Sequence, residues 1–153
     1  MNDMNRESNM NAKQSLNTPT AIAAGAKRIV VLGAYGRLGQ TFVDHVGRDH
    51  TVIPLDRDHI ELGSAESIER VLESHEFDVL ILTAALTAVD HCETNEEEAF
   101  AVNADGPKNV AAICARKGAK LVCIGTDFVF DGTATGVYRE DDPVNPISVY
   151  GAS

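Results

Sequence analysis

The chain has 153 residues, 44% of them hydrophobic and 24% charged, which fits one globular domain and leaves no room for a large second one. Acidic residues outnumber basic ones by 23 to 13, so the formal net charge of -10 argues against nucleic acid and anionic membranes as partners. Three cysteines without C-x-x-C spacing argue against a disulfide framework, and the histidines lack the spacing of metal ligands. No apolar stretch is long enough to span a membrane, so we predict a cytoplasmic protein with reduced core thiols and no metal site.

The first 26 residues follow neither a helical nor a strand period and are rich in Asn, Ser and Thr. Such a segment buries too little apolar surface to offset the loss of chain entropy on folding. We therefore predict a disordered tail at residues 1–26 and an ordered domain at residues 27–153.

Short apolar runs alternate with helical patterns along the rest of the chain. In order, the predicted elements are strand 28–32, helix 36–46 ended by Gly47, strand 51–55, a helix capped by Ser64, strand 78–85, a long helix ended by Gly118, and strand 120–124. Thr94 and Glu97 match a capping box at the start of the long helix, and Gly106-Pro107 predicts an irregularity within it. Strands that alternate with helices favour an α/β fold with a doubly wound parallel sheet.

A glycine-rich loop joins the first strand directly to the first helix. Glycines at this place permit a tight turn and let the backbone approach a pyrophosphate, while the free amides at the helix start face the anion. The position of the loop between strand and helix favours a Rossmann-like dinucleotide site over a turn without a ligand. The residues assigned to this site are Gly33, Tyr35, Gly36, Arg37, Leu38 and Gly39.

Two further strand ends are candidate contacts for the same cofactor. Asp56 follows the second strand, where a carboxylate binds the ribose hydroxyls of NAD, whereas Arg57 could pair with the 2′-phosphate of NADP. Alternatively, both are solvated turn charges. Ala84, Ala85 and Thr87 follow the third strand, and small residues there let a cofactor lie close, with simple core packing as the alternative. The sequence leaves NADH and NADPH open as the cofactor.

Two motifs in the last third of the chain complete a pattern. Residues 125–132 are Gly-Thr-Asp-Phe-Val-Phe-Asp-Gly, and residues 150–153 are Tyr-Gly-Ala-Ser, preceded by Pro146. Together with the glycine loop, the Thr-Ala-Val-Asp stretch at 87–90 and Asn103, they resemble the extended short-chain dehydrogenase/reductases from about residue 28 to residue 153. Within that family, their order and spacing are most similar to those of the dTDP-4-dehydrorhamnose reductases.

The resemblance implies reduction of the 4-keto group of a nucleotide-sugar by NADPH or NADH. In the family, a hydroxyl at the position of Thr126 binds the substrate carbonyl, a Tyr at the position of Tyr150 donates the proton, and Asn103 is assigned to the cofactor contacts. A Lys four residues after that Tyr lowers the pKa of the phenol, which otherwise lies near ~10. Leu86 and Phe128 depart from the family, because relatives usually carry His or Tyr at the first position and Tyr at the second.

The chain stops at Ser153, one residue before the position of that Lys. From the resemblance we expect the amino-terminal part of a reductase, with a dinucleotide-binding domain incomplete before its later strands and no region for the nucleotide-sugar substrate. We expect such a piece to be inactive alone and, because its sheet edge is uncovered, to self-associate, with a homodimer as one form. The alternative is a regulatory role, since the regulatory subunit of methionine adenosyltransferase is similar to these reductases and carries closely related motifs.

Overall fold

The structure, a computed structural model, describes residues 25–153. The tail predicted at residues 1–26 therefore lies outside the described residues, apart from its last two. The strands are β1 Arg28–Leu32, β2 Thr51–Leu55, β3 Val79–Leu82 and β4 Lys120–Cys123. The helices are α1 Arg37–Val46, α2 Ala65–Glu73, α3 Val89–Thr94, α4 Glu96–Phe100, α5 Gly106–Lys117 and α6 Val149–Ala152, with a π-helical turn at Ala101–Asp105 and a 3-10 turn at Asp127–Val129.

The four strands form one parallel sheet in the order β2-β1-β3-β4. In its register, Leu32 at the end of β1 lies opposite Leu55 of β2 and Leu82 of β3, and Leu82 lies opposite Cys123 of β4. The carboxyl ends of all four strands are therefore level with one another. Because ligands of open parallel sheets bind outside the carboxyl ends of the strands, the loops that follow these four residues are the place to look for a site.

The sheet is covered on both faces because successive residues of a strand point to opposite sides. On one face, Val30 and Leu32 of β1 belong to a buried cluster with residues of α2 and α5. On the other face, Ile29 and Val31 pack with apolar residues of α1. Val30, Val31 and Leu32 are at most 1% exposed, so β1 is buried on both sides, as its unbroken apolar run predicts. The predicted doubly wound α/β fold is confirmed.

Charged groups join neighbouring elements away from the carboxyl edge. Asp78, just before β3, accepts hydrogen bonds from the backbone N–H of Arg28 at 2.8 Å and from its Nη2 at 3.1 Å. These donors hold the pKa of Asp78 at about 2, below its ordinary value of 3.8. Arg116 of α5 donates to Glu69 and Glu73 of α2, which links the two helices that share a face.

The predicted helix boundaries hold where the signal is local. Ser64 caps α2 and accepts from the N–H of Ser67 at 3.2 Å. Gly118 ends α5 in the left-handed conformation with φ 65°, and Gly47 ends α1. The irregularity predicted at Gly106-Pro107 takes the form of the π-helical turn that ends just before it, in which the N–H of Gly106 donates to the carbonyl of Ala101, five residues back. Pro107 has no N–H, so a regular α-helical ladder is already broken at this place.

The capping box predicted at Thr94 and Glu97 is wrong. Thr94 ends α3, a helix that the sequence pattern did not predict, and its hydroxyl donates back to the carbonyl of His91 at 3.1 Å. Asn95 lies at the start of α4 but makes no side-chain cap there, and its amide donates back to the His91 carbonyl at 3.0 Å. Thr94, the residue predicted to open the helix, therefore closes α3, and Glu97 lies in the first turn of α4.

The third and fourth strands are shorter than predicted. The amides of Thr83 and Ala84 both donate to the carbonyl of Leu32, at 2.9 and 3.1 Å, so the chain leaves the β ladder there. The prediction of core thiols holds for Cys92 and Cys114, but Cys123 at the end of β4 is exposed. Among residues 25–153, no helix combines the length and the apolar character that a membrane span requires.

Candidate nucleotide-binding and catalytic site

The glycine loop begins where three strand ends meet. Gly33 has φ 90°, a conformation that residues with a Cβ rarely adopt. Its N–H donates to the carbonyl of Leu55 at 2.8 Å, which ties the loop to the end of β2. On the side of the loop that faces β3, a Cβ at Gly33 would lie 2.7 Å from both the amide nitrogen of Ala84 and the hydroxyl of Thr83. The loop is therefore wedged between the ends of β2 and β3.

The other two glycines of the loop set the start of α1. At Gly39 an added Cβ would collide with the carbonyl oxygen of Gly33, so glycine allows the helix to approach the strand. Gly36 is the residue before α1 and provides no side-chain cap, and the first turn of the helix carries no acidic side chain. No acidic side chain of the first turn competes for the amides at this helix start, which suits an anion such as a pyrophosphate.

The larger side chains of the loop lie toward solvent. Tyr35 is 42% exposed and Leu38 is 45% exposed, and Arg37 is exposed as well. Leu38 thus lies outside the apolar contact that α1 makes with the sheet. These three side chains, predicted to contact a cofactor, surround the glycine cradle on the surface.

Asp56 directly follows Leu55, whose carbonyl holds the glycine loop. Its Oδ1 accepts from the N–H of Asp58 at 3.0 Å and lies 2.7 Å from Nδ1 of His59. The carboxylate is 18% exposed, so Asp56 is fixed within its turn and is not a freely solvated charge. Arg57 is exposed, and its side chain has no partner among residues 25–153.

A cavity of about 310 Å³ opens beyond the carboxyl ends of β3 and β4. Five of the residues predicted to form the site line it together: Ala84, Ala85, Asn103, Thr126 and Tyr150. Thr87, predicted to contact the cofactor, is exposed and does not line the cavity, and neither do Asp56 and the glycine loop. The structure thus collects both predicted catalytic residues with part of the predicted cofactor contacts.

Asn103 holds two loops of the cavity wall. Its side-chain carbonyl accepts from the N–H of Leu86 at 2.8 Å, while its amide donates to the Leu86 carbonyl at 3.0 Å and to the hydroxyl of Ser153 at 3.1 Å. Its place in the π-helical turn aims this side chain at the loop after β3. The hydrogen-bonding groups of Asn103 are therefore engaged with protein, and the residue shapes the cavity by fixing its neighbours.

Thr126 and Tyr150 are held by different local contacts. The hydroxyl of Thr126 accepts from the N–H of Phe128 at 3.2 Å and so caps the 3-10 turn. The same hydroxyl donates to Oδ1 of Asp127 at 3.5 Å, a long contact that a substrate oxygen at shorter distance could replace. The ring of Tyr150 packs edge-on against Phe128, with centroids 5.4 Å apart. Phe128 therefore contacts Tyr150 through its ring.

Two residues that position Tyr150 were not among the predicted site residues. Glu93 of α3 accepts from the backbone N–H of Val149 at 2.8 Å, at the start of α6. Gly151 packs so closely on the carbonyl of Phe128 that a Cβ would collide with it. Glu93 and Val149 are 56 residues apart in sequence, so no local pattern could have paired them.

Asp131 is a further residue whose role the sequence pattern did not reveal. Its carboxylate accepts from Asn145 Nδ2 at 3.0 Å, from the N–H and hydroxyl of Thr133 at 2.9 and 2.8 Å, and from the hydroxyl of Tyr138 at 3.1 Å. These donors, with Asn145 first, hold the pKa of Asp131 far below its usual range. Asp131 thereby closes the long loop between the Thr126 turn and the helix of Tyr150.

The parallel sheet wound on both faces, with a glycine loop at its carboxyl edge, defines an α/β protein of the Rossmann-like class. Residues 27–153 match the RmlD substrate binding domain family, and the chain belongs to this family. In the described part of the chain, no group of His, Cys, Asp and Glu residues is arranged to hold a metal ion.

Individual relatives agree with this assignment. The chain is 39% identical to a dTDP-4-dehydrorhamnose reductase of Burkholderia thailandensis, over 82% of this chain and 42% of that protein. It is 36% identical to the dTDP-4-dehydrorhamnose reductase of Mycobacterium tuberculosis, over 86% of this chain and 44% of that protein. The crystal structure of the Bacillus anthracis dTDP-4-dehydrorhamnose reductase in complex with NADP superposes with a TM-score of 0.78 at 32% identity, over 83% of this chain and 46% of that one.

These matches confirm the predicted resemblance. The chain spans less than half the length of the relatives that it matches.

Proposed function

We propose that this chain provides the cofactor-binding part of an NAD(P)H-dependent reductase, which reduces the 4-keto group of a nucleotide-sugar of the dTDP-4-dehydrorhamnose type. The observation that carries the proposal is the cavity where Thr126 and Tyr150 meet the end of β3. A hydroxyl and a phenol at the carboxyl edge of a parallel sheet suit the polarisation and protonation of a substrate carbonyl. The relatives named dTDP-4-dehydrorhamnose reductase supply the substrate class.

The residues of the cradle fit a dinucleotide. Gly33 and Gly39 leave no room for side chains, and the start of α1 offers amides without a competing acid, so the pyrophosphate would lie at Gly36. Asp56 and Arg57 would face the adenosine ribose, and Ala84 and Ala85 would border the path toward the cavity. The bound cofactor supplies the hydride for reduction of the carbonyl carbon.

The chain's own groups perform the proton and orienting steps. Thr126 would donate a hydrogen bond to the carbonyl oxygen and hold it beside Tyr150. The phenol of Tyr150 would then give its proton to that oxygen as negative charge develops there. Asn103 keeps the loop after β3 and Ser153 in place, which fixes two walls of the cavity around the reacting carbonyl. In the wider protein, the Lys implied by the family resemblance would assist Tyr150.

Titration of the chain with NADPH and NADH tests the cradle directly. Gly36→Ala is the informative variant, because its Cβ would approach only the Gly33 carbonyl, at 3.3 Å, and would otherwise extend into the cradle. We expect this variant to fold but to bind nucleotide at least about tenfold more weakly, since the backbone could no longer approach a pyrophosphate. Gly136→Ala is the matched control, because a Cβ there meets nothing within 4 Å. Binding that is equal in all three proteins would contradict the assignment.

The reductase activity requires a form extended by the region that relatives carry beyond residue 153. In that form, Tyr150→Phe should lower reduction of a dTDP-4-keto-sugar at least about tenfold, because the ring remains but the proton donor is lost. Tyr138→Phe is the control, since it also removes one phenol hydroxyl, which binds Asp131 outside the cavity. Nucleotide binding without turnover by the extended protein would instead favour the regulatory alternative. A cytoplasmic location and a homodimer stay predictions.

A further inference from the structure

The turn after β2 contains a close contact between Asp56 and His59. Nδ1 of His59 lies 2.7 Å from Oδ1 of Asp56. An ionised carboxylate only accepts hydrogen bonds, so a contact of this length requires the proton on Nδ1, with His59 as the donor. The N–H of Asp56, at 3.3 Å from the same nitrogen, cannot donate to it in that state. The contact therefore places a proton on Nδ1 of His59.

The turn is rigid enough to keep this contact in place. The N–H groups of His59 and Ile60 both donate to the carbonyl of Asp56, at 2.9 and 3.0 Å. Ile60 is 4% exposed and belongs to the buried cluster beneath α2 and α5. The side chain of His59 is 44% exposed, so its ring lies beside the carboxylate at the surface. The backbone of His59 is held by the turn.

The contact changes what Asp56 can offer to a ribose. Oδ1 already receives two donors, the N–H of Asp58 and the imidazole of His59. No described residue donates to Oδ2, so that atom is the one left for a ribose hydroxyl. A carboxylate normally favours NAD at this position because it binds the ribose hydroxyls and repels a 2′-phosphate. A carboxylate with one oxygen occupied by a donor binds the ribose hydroxyls less strongly. The donor also offsets part of its negative charge, so the carboxylate repels a 2′-phosphate less.

We propose that His59 sets the cofactor preference of this chain by occupying Oδ1 of Asp56. With that oxygen engaged inside the turn, the site gains less from an unmodified ribose and repels a 2′-phosphate less, so NADPH is accepted beside NADH. His59 acts here as a positioning residue, since it works through Asp56. The inference rests on the proposed cofactor site, but it concerns a residue that the glycine-loop pattern does not include.

The test measures dissociation constants for NADH and NADPH by the fluorescence of the bound reduced nicotinamide. His59→Leu removes the donor and should shift the ratio of the two constants toward NADH by about fivefold or more. His59→Asn places an amide N–H near the position of Nδ1 and should restore most of the parent ratio. His45→Leu is the matched control, because His45 is an exposed histidine of α1, and it should change the ratio by less than about twofold.

The ratio separates a specific effect from general damage. A turn that is merely loosened would weaken both nucleotides alike and leave the ratio unchanged, which would overturn the role of His59 while the cofactor site remained. A parent protein that binds neither nucleotide would overturn the proposed cofactor site, and this inference with it. Restoration of the ratio in His59→Asn supports the hydrogen bond as the cause, whereas a ratio equal to that of His59→Leu would overturn it.

Discussion

At the scale of single residues, Gly33 is the position with the strictest requirement. It combines a φ of 90° with two neighbours, Thr83 and Ala84, that an added Cβ would approach to 2.7 Å. Both neighbours directly follow β3, where their amides donate to the carbonyl of Leu32. Neither side can move away, because the strand ends are paired. The shape of the glycine loop is thus set by backbone packing and does not depend on a particular side chain.

Replacing Gly33 by alanine should destabilise the chain by about 3 kcal/mol, through backbone strain and steric overlap together. Gly118→Ala provides the matched comparison, because Gly118 also has a positive φ, of 65°, but an added Cβ meets nothing within 4 Å. That variant should cost only about 1 kcal/mol. Urea denaturation followed by circular dichroism measures both. Equal losses would mean that crowding at the strand ends is unimportant.

At the scale of elements, α6 depends on a helix that is distant in sequence. The start of α6 is capped twice, by Glu93 of α3 on the N–H of Val149 and by Ser148 on the N–H of Gly151. A helix of four residues has little stability of its own, so these contacts and the packing of Gly151 on Phe128 define its place. Through them, α3 controls where Tyr150 stands.

Substitution of Glu93 by alanine should therefore release the start of α6. The amide of Val149 should exchange with solvent about fivefold faster, because its acceptor is gone. Glu93→Gln keeps a carbonyl acceptor at the same length and should change the exchange less. Nuclear magnetic resonance of the labelled chain measures the rate at this single amide. Glu96→Ala, on the exposed start of α4, is the control, and the same acceleration there would argue against a specific cap.

At the scale of the whole molecule, the ion pair of Arg28 and Asp78 ties the starts of β1 and β3. The pKa of Asp78 is lowered to about 2 from an ordinary value of 3.8, first by the side chain of Arg28 and then by its backbone N–H. Because the folded value is the lower one, the unfolded chain binds this proton more readily. The stabilisation is therefore complete above about pH 4 and is lost as the pH falls toward about 2.

The variant Asp78→Asn should show a smaller loss of melting temperature on acidification than the parent, since it has no proton to take up at this position. Thermal melts between about pH 5 and about pH 2 give the comparison. Asp49→Asn is the control, because Asp49 is an exposed acid without a side-chain partner among the described residues. A parent and an Asp78 variant with parallel acid profiles would contradict the linkage.

The sheet itself predicts how copies of the chain behave together. Within residues 25–153, β4 pairs only with β3, and α1 is the helix that packs on the face holding Val122 of β4. An open strand edge beside a partly covered apolar face favours association.

We expect the chain to form dimers or larger species as its concentration rises, observed by sedimentation velocity. Val122→Lys should weaken this association, because a charge on that face must be desolvated in the contact. Val137→Lys, at a loop position that is 86% exposed, should leave the association unchanged. A parent that stays monomeric over the whole concentration range would contradict the expectation.

The features that the sequence predicted correctly are those that depend on neighbouring residues. Apolar runs, the Ser64 cap, Gly47, Gly118 and the place of the glycine loop are properties of neighbouring residues. The sequence by itself therefore determined the four strands and the doubly wound fold class, but not the short helix α3. Thr126 and Tyr150 followed from a family resemblance, and their common cavity appeared only in three dimensions. The capping box failed because a motif of four residues does not say which helix it serves.

Only the tertiary structure decided the contacts between loops at the carboxyl edge of the sheet. Asn103 clamps Leu86 and Ser153, and Glu93 caps the helix of Tyr150, across sequence gaps that no periodicity spans. The contact of His59 with Asp56 is local in sequence, yet its geometry depends on Ile60 being anchored in the core. Local patterns determine which helices and strands form, whereas the position of a side chain in a site depends on packing between elements, which the sequence encodes only through the whole fold.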